Sequence, residues 1–180
     1  MKIVLSPAKK MKEDDDLEFY DLPVFLDNTK EILRCLKGLS KNDLKDIWKC
    51  NDKIVDENID RLKKMNLERD LTPAVLAYEG IAYKYMAPSV FEDNQFSYVQ
   101  EHLRILSAFY GVLKPMDGVR PYRLEMQAKL RVNSNKDLYA YWGDKLYKSI
   151  VDESHVIINL ASKEYSKCIE KYLNEDDRYI

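Results

Sequence analysis

Residues 102–126, HLRILSAFYGVLKPMDGVRPYRLEM, are the stretch that says most about the fold of this 180-residue chain. Apolar residues recur at helical spacing up to this point and predict an amphipathic helix from about residue 95 to 107. Gly111 then marks a turn, and the prolines at 115 and 121 keep the backbone out of a long helix. We therefore expect a helix that leads into shaped loops, where binding and catalytic side chains usually lie. These loops carry Arg120, Tyr122, Arg123 and Glu125.

On both sides of this stretch, short apolar runs alternate with amphipathic segments. Strands are predicted at residues 2–5, 74–78 and 155–160, and the final RYI (178–180) resembles the start of another. Such alternation favours an α/β or α+β fold, with a mixed sheet and flanking helices. We expect a single domain over residues 1–180.

The helices are predicted from capping residues and apolar spacing. Residues 27–65 are expected to form a helical layer within the domain, with Gly38 ending its first helix. The expected caps of successive helices are Asp27, Ser40, Asn51 or Asp52, Asn94, Asp137 and Ser162.

Composition is that of an ordinary globular protein, with 46% hydrophobic and 33% charged residues. No apolar run approaches the roughly 18 residues of a membrane span, and the N-terminus lacks a signal-peptide pattern. We expect a cytoplasmic protein without membrane contact. The three cysteines are widely spaced and form no CxxC pair, so reduced thiols are expected, with no metal site and no cofactor.

Charge is distributed unevenly around a formal net value of −2. Residues 104–131 hold six basic and two acidic side chains. A local basic surface is compatible with phosphate or nucleic-acid contact, and equally with an ordinary solvated face.

Three segments carry residue types suited to anion binding or catalysis. Lys9 follows the first predicted strand, where ligands of α/β proteins collect, and it supplies a point charge or an amine nucleophile. In RPYRLE (120–125), arginine forks bind phosphate or carboxylate, Tyr122 offers a stacking face, and Glu125 can orient Arg123 or act as a general base. Asn159 and Ser162 lie where the last long strand turns into a helix, whose free N–H groups can bind an anion. A surface lysine, an Arg–Glu pair and a helix cap explain the same residues structurally.

The segment LSAFYGVL (106–113) suggests a helix–hairpin–helix. In that element, backbone N–H groups at the turn meet a DNA phosphate. Pro115 interrupts any second helix early, and a core helix that ends at Gly111 explains the segment equally.

Several segments, taken in order, resemble one protein family. They are SPAK (6–9), YEGIAY (78–83), the 102–126 stretch, LYAYWGD (138–144) and VIINLASKEY (156–165). Together they span the chain and are similar to the bacterial peroxide stress-resistance protein YaaA family. Relatives in that family continue past residue 180, so the resemblance also implies that a C-terminal portion is lacking.

The resemblance implies a cytoplasmic protein of the hydrogen peroxide response that limits free intracellular iron and oxidative DNA damage. It implies binding of double-stranded DNA in a positively charged cleft, with a helix–hairpin–helix element at residues 98–118. Contacts are expected mainly with the phosphate backbone. The expected DNA- or phosphate-binding residues are Lys9, Lys10, Arg104, Gly111, Lys114, Arg120, Tyr122, Arg123, Asn159 and Ser162.

Two other hypotheses stay open. An enzyme acting on a nucleotide, a base or another small anionic ligand would gather Lys9, Arg123 and Glu125 as catalytic residues. A narrow pocket containing them would favour that enzyme, whereas an open basic groove as wide as a duplex would favour the DNA binder. Basic residues scattered over unrelated faces would favour a structural or partner-binding protein that uses the 27–65 helices.

Overall fold

The computed structural model describes residues 1–14 and 16–180, so Asp15 lies outside the described residues. In chain order, the elements are β1 (Lys2–Leu5), β2 (Lys10–Met11), α1 (Leu26–Lys37), α2 (Lys41–Trp48), α3 (Asp52–Lys64), β3 (Thr72–Pro73), α4 (Ala74–Ala77), β4 (Tyr78–Glu79), α5 (Ile81–Met86), a 3₁₀ turn (Pro88–Val90), α6 (Asp93–His102), β5 (Leu103–Ser107), β6 (Gly111–Leu113), β7 (Gly118–Val119), α7 (Leu138–Trp142), α8 (Lys145–Ile150), β8 (Val156–Leu160), α9 (Lys163–Glu170) and β9 (Arg178–Tyr179).

A five-stranded mixed sheet in the order β6-β5-β1-β8-β9 forms the centre of the fold. β1 pairs in parallel with β5 and β8, β8 pairs in parallel with β9, and β6 runs antiparallel to β5. Ile3, Val4 and Leu5 of β1 are apolar, as suits a central parallel strand that is covered on both faces. The predicted α/β class with a mixed sheet and flanking helices is confirmed. The parallel pairing also places the carboxyl ends of β1, β5 and β8 at one edge of the sheet.

The helical layer at residues 27–65 is present as α1, α2 and α3. Ser40 caps α2 in a reciprocal capping box with Asp43, and the Asn51 side chain accepts the Ile54 N–H at 3.0 Å. Asp137 likewise caps α7 by accepting the Ala140 N–H at 2.8 Å. These three caps were predicted from sequence. The cap at Asp27 was wrong, because α1 begins at Leu26 and places this carboxylate in its first turn, where it favours the helix dipole.

The helix predicted for residues 95–107 is shorter than expected. α6 ends at His102, and residues 103–107 form β5, which is buried along its whole length and pairs with β1. Leu103, Ile105 and Leu106 of this strand also fit the apolar spacing of a helix, so periodicity does not distinguish such a short buried strand from a helix end. The predicted cap Asn94 is also wrong, since Glu92 occupies that position in a capping box with Gln95.

Residues 98–118 do not form the expected helix–hairpin–helix. After α6 the chain makes a β-hairpin, in which β5 turns back through residues 108–110 into β6. The Ser107 hydroxyl oxygen accepts the N–H groups of Phe109 and Tyr110 at 3.2 and 2.9 Å and so stabilises the turn. Gly111 has φ +80°, and a Cβ there would lie 2.8 Å from the Trp142 ring. The strand β6, paired with β5, therefore stands where the second helix was expected.

The strand predicted at residues 74–78 is also mostly absent. Ala74–Ala77 form one helical turn, and only Tyr78–Glu79 are extended, in β4. Alanine favours helix, and all four residues of the turn are buried. The strand predicted at 155–160 is confirmed as β8, and the final residues do form β9. Over the described part of the chain, none of the helices has the length and apolarity to cross a bilayer.

Candidate active site

A pocket of about 250 Å³ opens at the edge where β1 and β8 end. We call it the carboxyl-edge pocket. Three segments supply its walls: the loop after β1, the loop before α7, and the start of α9. Its lining residues are Ser6, Pro7, Ala8, Lys9, Tyr122, Arg123, Leu124, Glu125, Ser162, Glu164 and Tyr165.

The segment RPYRLEM (120–126) positions two charged side chains in this pocket. Tyr122, Leu124 and Met126 are buried, whereas Arg123 and Glu125 are half-buried. This alternation is that of an extended chain, whose successive side chains point to opposite sides. The buried side chains fix the segment on the core, and the charged ones face the ligand space.

Lys9 and Glu125 form an ion pair within the carboxyl-edge pocket. The Lys9 Nζ lies 2.7 Å from Glu125 Oε1, with the lysine side chain 69% exposed and the glutamate 20% exposed. Burial acts to raise the pKa of Glu125, but the hydrogen bond and charge of Lys9 outweigh it, so the pKa lies below the ordinary value. Glu125 is therefore an ionised, half-buried carboxylate paired with an exposed amine.

Arg123 is held less firmly than its neighbours. Its Nε donates to the Trp48 carbonyl oxygen over 3.4 Å, at the end of α2. Among the described residues, no carboxylate lies within 4.0 Å of its guanidinium nitrogens. The guanidinium therefore keeps donors for a carboxylate or phosphate in the pocket.

The loops after β1 and β8 are joined by serine hydroxyls. The Ser162 N–H donates to Ser6 Oγ at 2.8 Å, and the two hydroxyl oxygens are 3.2 Å apart. Ser162 occupies the N-cap position of α9, as predicted, but its side chain does not cap the helix. The Tyr83 hydroxyl donates to the Ser6 carbonyl oxygen at 2.9 Å and fixes this loop from the other side.

Beneath the pocket, Tyr122 belongs to a buried chain of hydroxyls. Its hydroxyl oxygen is 2.7 Å from Ser107 Oγ and 3.0 Å from the Tyr78 hydroxyl oxygen. Because Ser107 already accepts two turn N–H groups, its own O–H is best placed to donate to Tyr122. Burial raises the pKa of Tyr122 to about 12, so it is neutral at physiological pH. The pocket floor is thus tied to the β5–β6 turn.

The other predicted binding residues lie elsewhere. Arg104 and Lys114 line a different pocket, and Arg120 donates to Glu13 at 2.9 Å. Lys10 pairs with Glu79 at 3.0 Å. Asn159 uses its side-chain oxygen locally, accepting the Ala161 N–H at 3.0 Å, and Gly111 is buried against Trp142.

The sequence left open a narrow pocket or an open basic groove. The structure has a narrow pocket, which contains Lys9, Arg123 and Glu125. The remaining basic residues divide among other pockets and do not line one groove with them.

A basic surface that sequence reasoning missed lies between α7 and α9. A depression of about 500 Å³ is lined by Lys136, Lys167 and Lys171 together with Tyr139 and Tyr172, and Asp137 and Glu170 add two carboxylates to its lining. None of these lysines forms an ion pair with another described residue. The spacing of Lys163, Lys167 and Lys171 at four-residue intervals was the available signal, because it places them on one side of a helix.

Comparison with known proteins agrees with the motifs. The family described as peroxide stress protein YaaA matches residues 1–179. The chain belongs to the YaaA peroxide stress protein family. A UPF0246 protein of Agathobacter rectalis is 67% identical over 181 aligned residues, which cover 100% of this chain and 73% of the relative. UPF0246 proteins of Lachnoclostridium phytofermentans and Pediococcus pentosaceus are 54% and 50% identical, covering 100% and 99% of this chain and 71% of each relative. YaaA membership links this chain to oxidative stress.

Proposed function

We propose that the molecular activity of this YaaA-family protein lies in the carboxyl-edge pocket, which binds and acts on a small anionic ligand such as a nucleotide or a base. The observation that carries the proposal is the convergence of Lys9, Arg123 and Glu125 in one narrow pocket. A volume of about 250 Å³ suits a base, or the phosphate group of a nucleotide whose remainder stays outside the pocket, since pockets for drug-sized ligands begin near 300 Å³.

Three of the four charged lining residues, Lys9, Arg123 and Glu125, have complementary roles in this proposal, while the fourth, Glu164, accepts the Gln127 N–H at 3.2 Å. Arg123 presents a planar fork to a phosphate or carboxylate, leaving only its weak contact with Trp48. The Lys9 ammonium leaves its ion pair with Glu125 and pairs with the anionic group of the ligand. Glu125 then loses the charge that lowers its pKa, becomes more basic, and accepts a proton from the bound ligand.

A titration calorimetry experiment tests the pocket. The probes are nucleoside monophosphates, free bases and pyrophosphate, titrated into the wild type, Arg123→Gln and Glu125→Gln. Loss of the guanidinium is expected to weaken phosphate binding about 10- to 100-fold, because charge-assisted hydrogen bonds to a buried anion are lost. Glu125→Gln is expected to retain binding and lose turnover, measured by chromatography of the incubated ligands. Arg131→Gln, an exposed arginine outside the pocket, is the matched control.

The proposal fails if the wild type binds none of the probes at millimolar concentration. It fails equally if Arg123→Gln binds them as the wild type does.

We propose DNA binding through the phosphate backbone as a second function. The observation that favours it is the surface of Lys136, Lys167 and Lys171, whose two neighbouring tyrosines offer faces for stacking. Lys9 and Lys10 have side chains 69% and 77% exposed, and they remain candidate contacts from the sequence. A base-acting enzyme must also bind the backbone of the nucleic acid that carries its target base, so the two proposed functions are compatible in principle.

Salt dependence tests DNA binding. Fluorescence anisotropy with a labelled duplex should give a dissociation constant that rises steeply with salt, and Lys167→Ala/Lys171→Ala should reduce the slope by about two charges. Lys63→Ala/Lys64→Ala, at the end of α3, is a control with equal charge loss. Equal affinity at low and moderate salt would exclude backbone binding.

We further propose, from the family, that the protein limits free iron and oxidative DNA damage during peroxide exposure. Among the described residues, no group of three or more His, Cys, Asp or Glu could hold a metal ion. The proposal is tested by measuring chelatable iron in peroxide-treated cells that lack the protein, express the wild type or express Arg123→Gln. Equal iron with and without the protein would refute it.

A further inference from the structure

A second pocket lies on the opposite face of the main sheet from Ser107. Side chains alternate along β5, so Arg104 and Leu106 face away from Ser107, and Val112 pairs with Leu106 across the hairpin. The cavity measures about 420 Å³. We call it the Arg104 pocket, and its lining residues are Asp21, Leu22, Val24, Arg104, Val112, Lys114, Asp117 and Ser149.

Arg104 is a buried cation without an ionic partner. The residue is 9% exposed, and among the described residues no carboxylate lies within 4.0 Å of its guanidinium. Nη1 donates to the carbonyl oxygens of Gln100 and Leu103 at 3.1 and 2.7 Å, while Nε and Nη2 make no hydrogen bond to another described residue. These two nitrogens are not among the fully buried polar atoms of the described residues, so they can donate to an anion that enters the pocket.

The second cation of the pocket is Lys114. Its ammonium has no ion pair with another described residue, and its backbone N–H donates to Asp117 Oδ2 at 2.8 Å. The rim includes Leu22 and Val24, which are 40% and 69% exposed and give the mouth an apolar side. An anion seated between the two cations would therefore meet an aliphatic wall.

The acidic groups near these cations are Asp117, Asp21 and Asp152. Asp117 is 3% exposed, and burial raises its pKa to about 6. Asp152 already pairs with the Met1 ammonium at 2.7 Å and Lys2 at 3.6 Å. Around neutral pH the lining charges of the pocket therefore balance, whereas protonation of Asp117 leaves a net positive charge beside Arg104.

We propose that the Arg104 pocket binds a small oxyanion, a carboxylate or phosphate group on a short aliphatic body, between Arg104 and Lys114. This site is separate from the carboxyl-edge pocket. Binding is stronger at mildly acidic pH, because removal of the Asp117 charge removes repulsion and an anion in turn favours protonated Asp117.

Calorimetric titration with sulfate tests the site, because sulfate stays a dianion across the pH range. Titrations at pH 5.5 and 7.5, at constant ionic strength, should give about tenfold tighter binding at the lower pH. Asp117→Asn keeps an acceptor for the Lys114 N–H and should bind at pH 7.5 as the wild type does at pH 5.5. An Arg123→Gln background removes any contribution from the carboxyl-edge pocket.

Lys114→Gln should lower the affinity for sulfate about tenfold. Lys129→Gln, which changes an exposed lysine outside the pocket, should leave that affinity unchanged. Arg104→Lys keeps the charge but not the fork, and should weaken binding while its circular dichroism stays native. The site does not exist if Lys114→Gln binds as the wild type does, or if Asp117→Asn keeps the full pH dependence.

Isovalerate and acetate test the aliphatic wall. Tighter binding of isovalerate supports a carboxylate with an aliphatic body. Equal affinities would overturn that part of the proposal.

Discussion

Substitution of Ser107 by alanine should destabilise the fold far more than the loss of one hydroxyl suggests. Ser107 is fully buried, and its hydroxyl oxygen accepts the N–H groups of Phe109 and Tyr110 at 3.2 and 2.9 Å. It also lies 2.7 Å from the Tyr122 hydroxyl oxygen. Alanine therefore leaves two turn N–H groups without an acceptor and Tyr122 without one of its partners.

The magnitude follows from these contacts. A buried group left unsatisfied costs about 1–3 kcal/mol, and the longer bond to Phe109 counts for less. The free energy of unfolding is expected to fall by about 3 kcal/mol. The cavity contributes little to this loss, because only one oxygen is removed. For a chain of this length, the melting temperature should fall by about 6–12 °C.

Urea unfolding followed by circular dichroism measures the free energy, with Ser134→Ala, an exposed serine, as control. A double-mutant cycle with Tyr122→Phe isolates the Ser107–Tyr122 bond, which should contribute about 1 kcal/mol. A loss below about 1 kcal/mol in Ser107→Ala would mean that the turn does not depend on this hydroxyl. Strict additivity in the cycle would exclude the hydroxyl chain under the pocket.

Three further predictions concern titration, backbone and thiol reactivity. Because burial raises the Asp117 pKa to about 6, its stabilising contribution is fully present below the unfolded value of about 3.9 and is lost as pH rises through 6. Between pH 4 and 7 the free energy of unfolding, measured by urea titration, should fall by about 2 kcal/mol more in the wild type than in Asp117→Asn. The same dependence of that free energy on pH in both proteins would refute this. Gly111→Ala should destabilise by more than 2 kcal/mol in the same assay, because φ is +80° and the new Cβ would lie 2.8 Å from Trp142; a loss below about 1 kcal/mol would contradict this geometry. Burial raises the pKa of Cys168 to about 12, so iodoacetamide should alkylate the two half-buried cysteines first by mass spectrometry; equal rates would contradict its burial.

Local signals in the sequence predicted those features that depend on residues close in the chain. The caps at Ser40 and Asn51 each involve a partner three residues away. The position of the carboxyl-edge pocket was also predictable, because strand ends gather side chains at one edge of a parallel sheet. The contact of Lys9 with Glu125 does not follow from that rule, because Glu125 lies on the loop after β7, outside the main sheet.

Features that depend on distant packing were not predictable. The leucines and isoleucine of β5 fit a helix as well as a strand, and only the pairing of β5 with β1 distinguishes the two. The sequence predicts Arg104 as part of a basic surface, whereas the pairing of β5 within the sheet buries this residue. The pairing of Arg120 with Glu13 joins residues more than 100 positions apart, which a single sequence does not reveal.

The contacts of Trp142 also give the protein an optical reporter. Both tryptophans are buried, and the Trp142 Nε1–H donates to the Ala108 carbonyl oxygen in the hairpin turn at 3.0 Å. Its emission wavelength will therefore follow the docking of the β5–β6 hairpin, without an attached dye. In a Trp48→Phe variant the remaining fluorescence would come from that one position. Stopped-flow unfolding could then time the release of the hairpin separately from the melting of the helices.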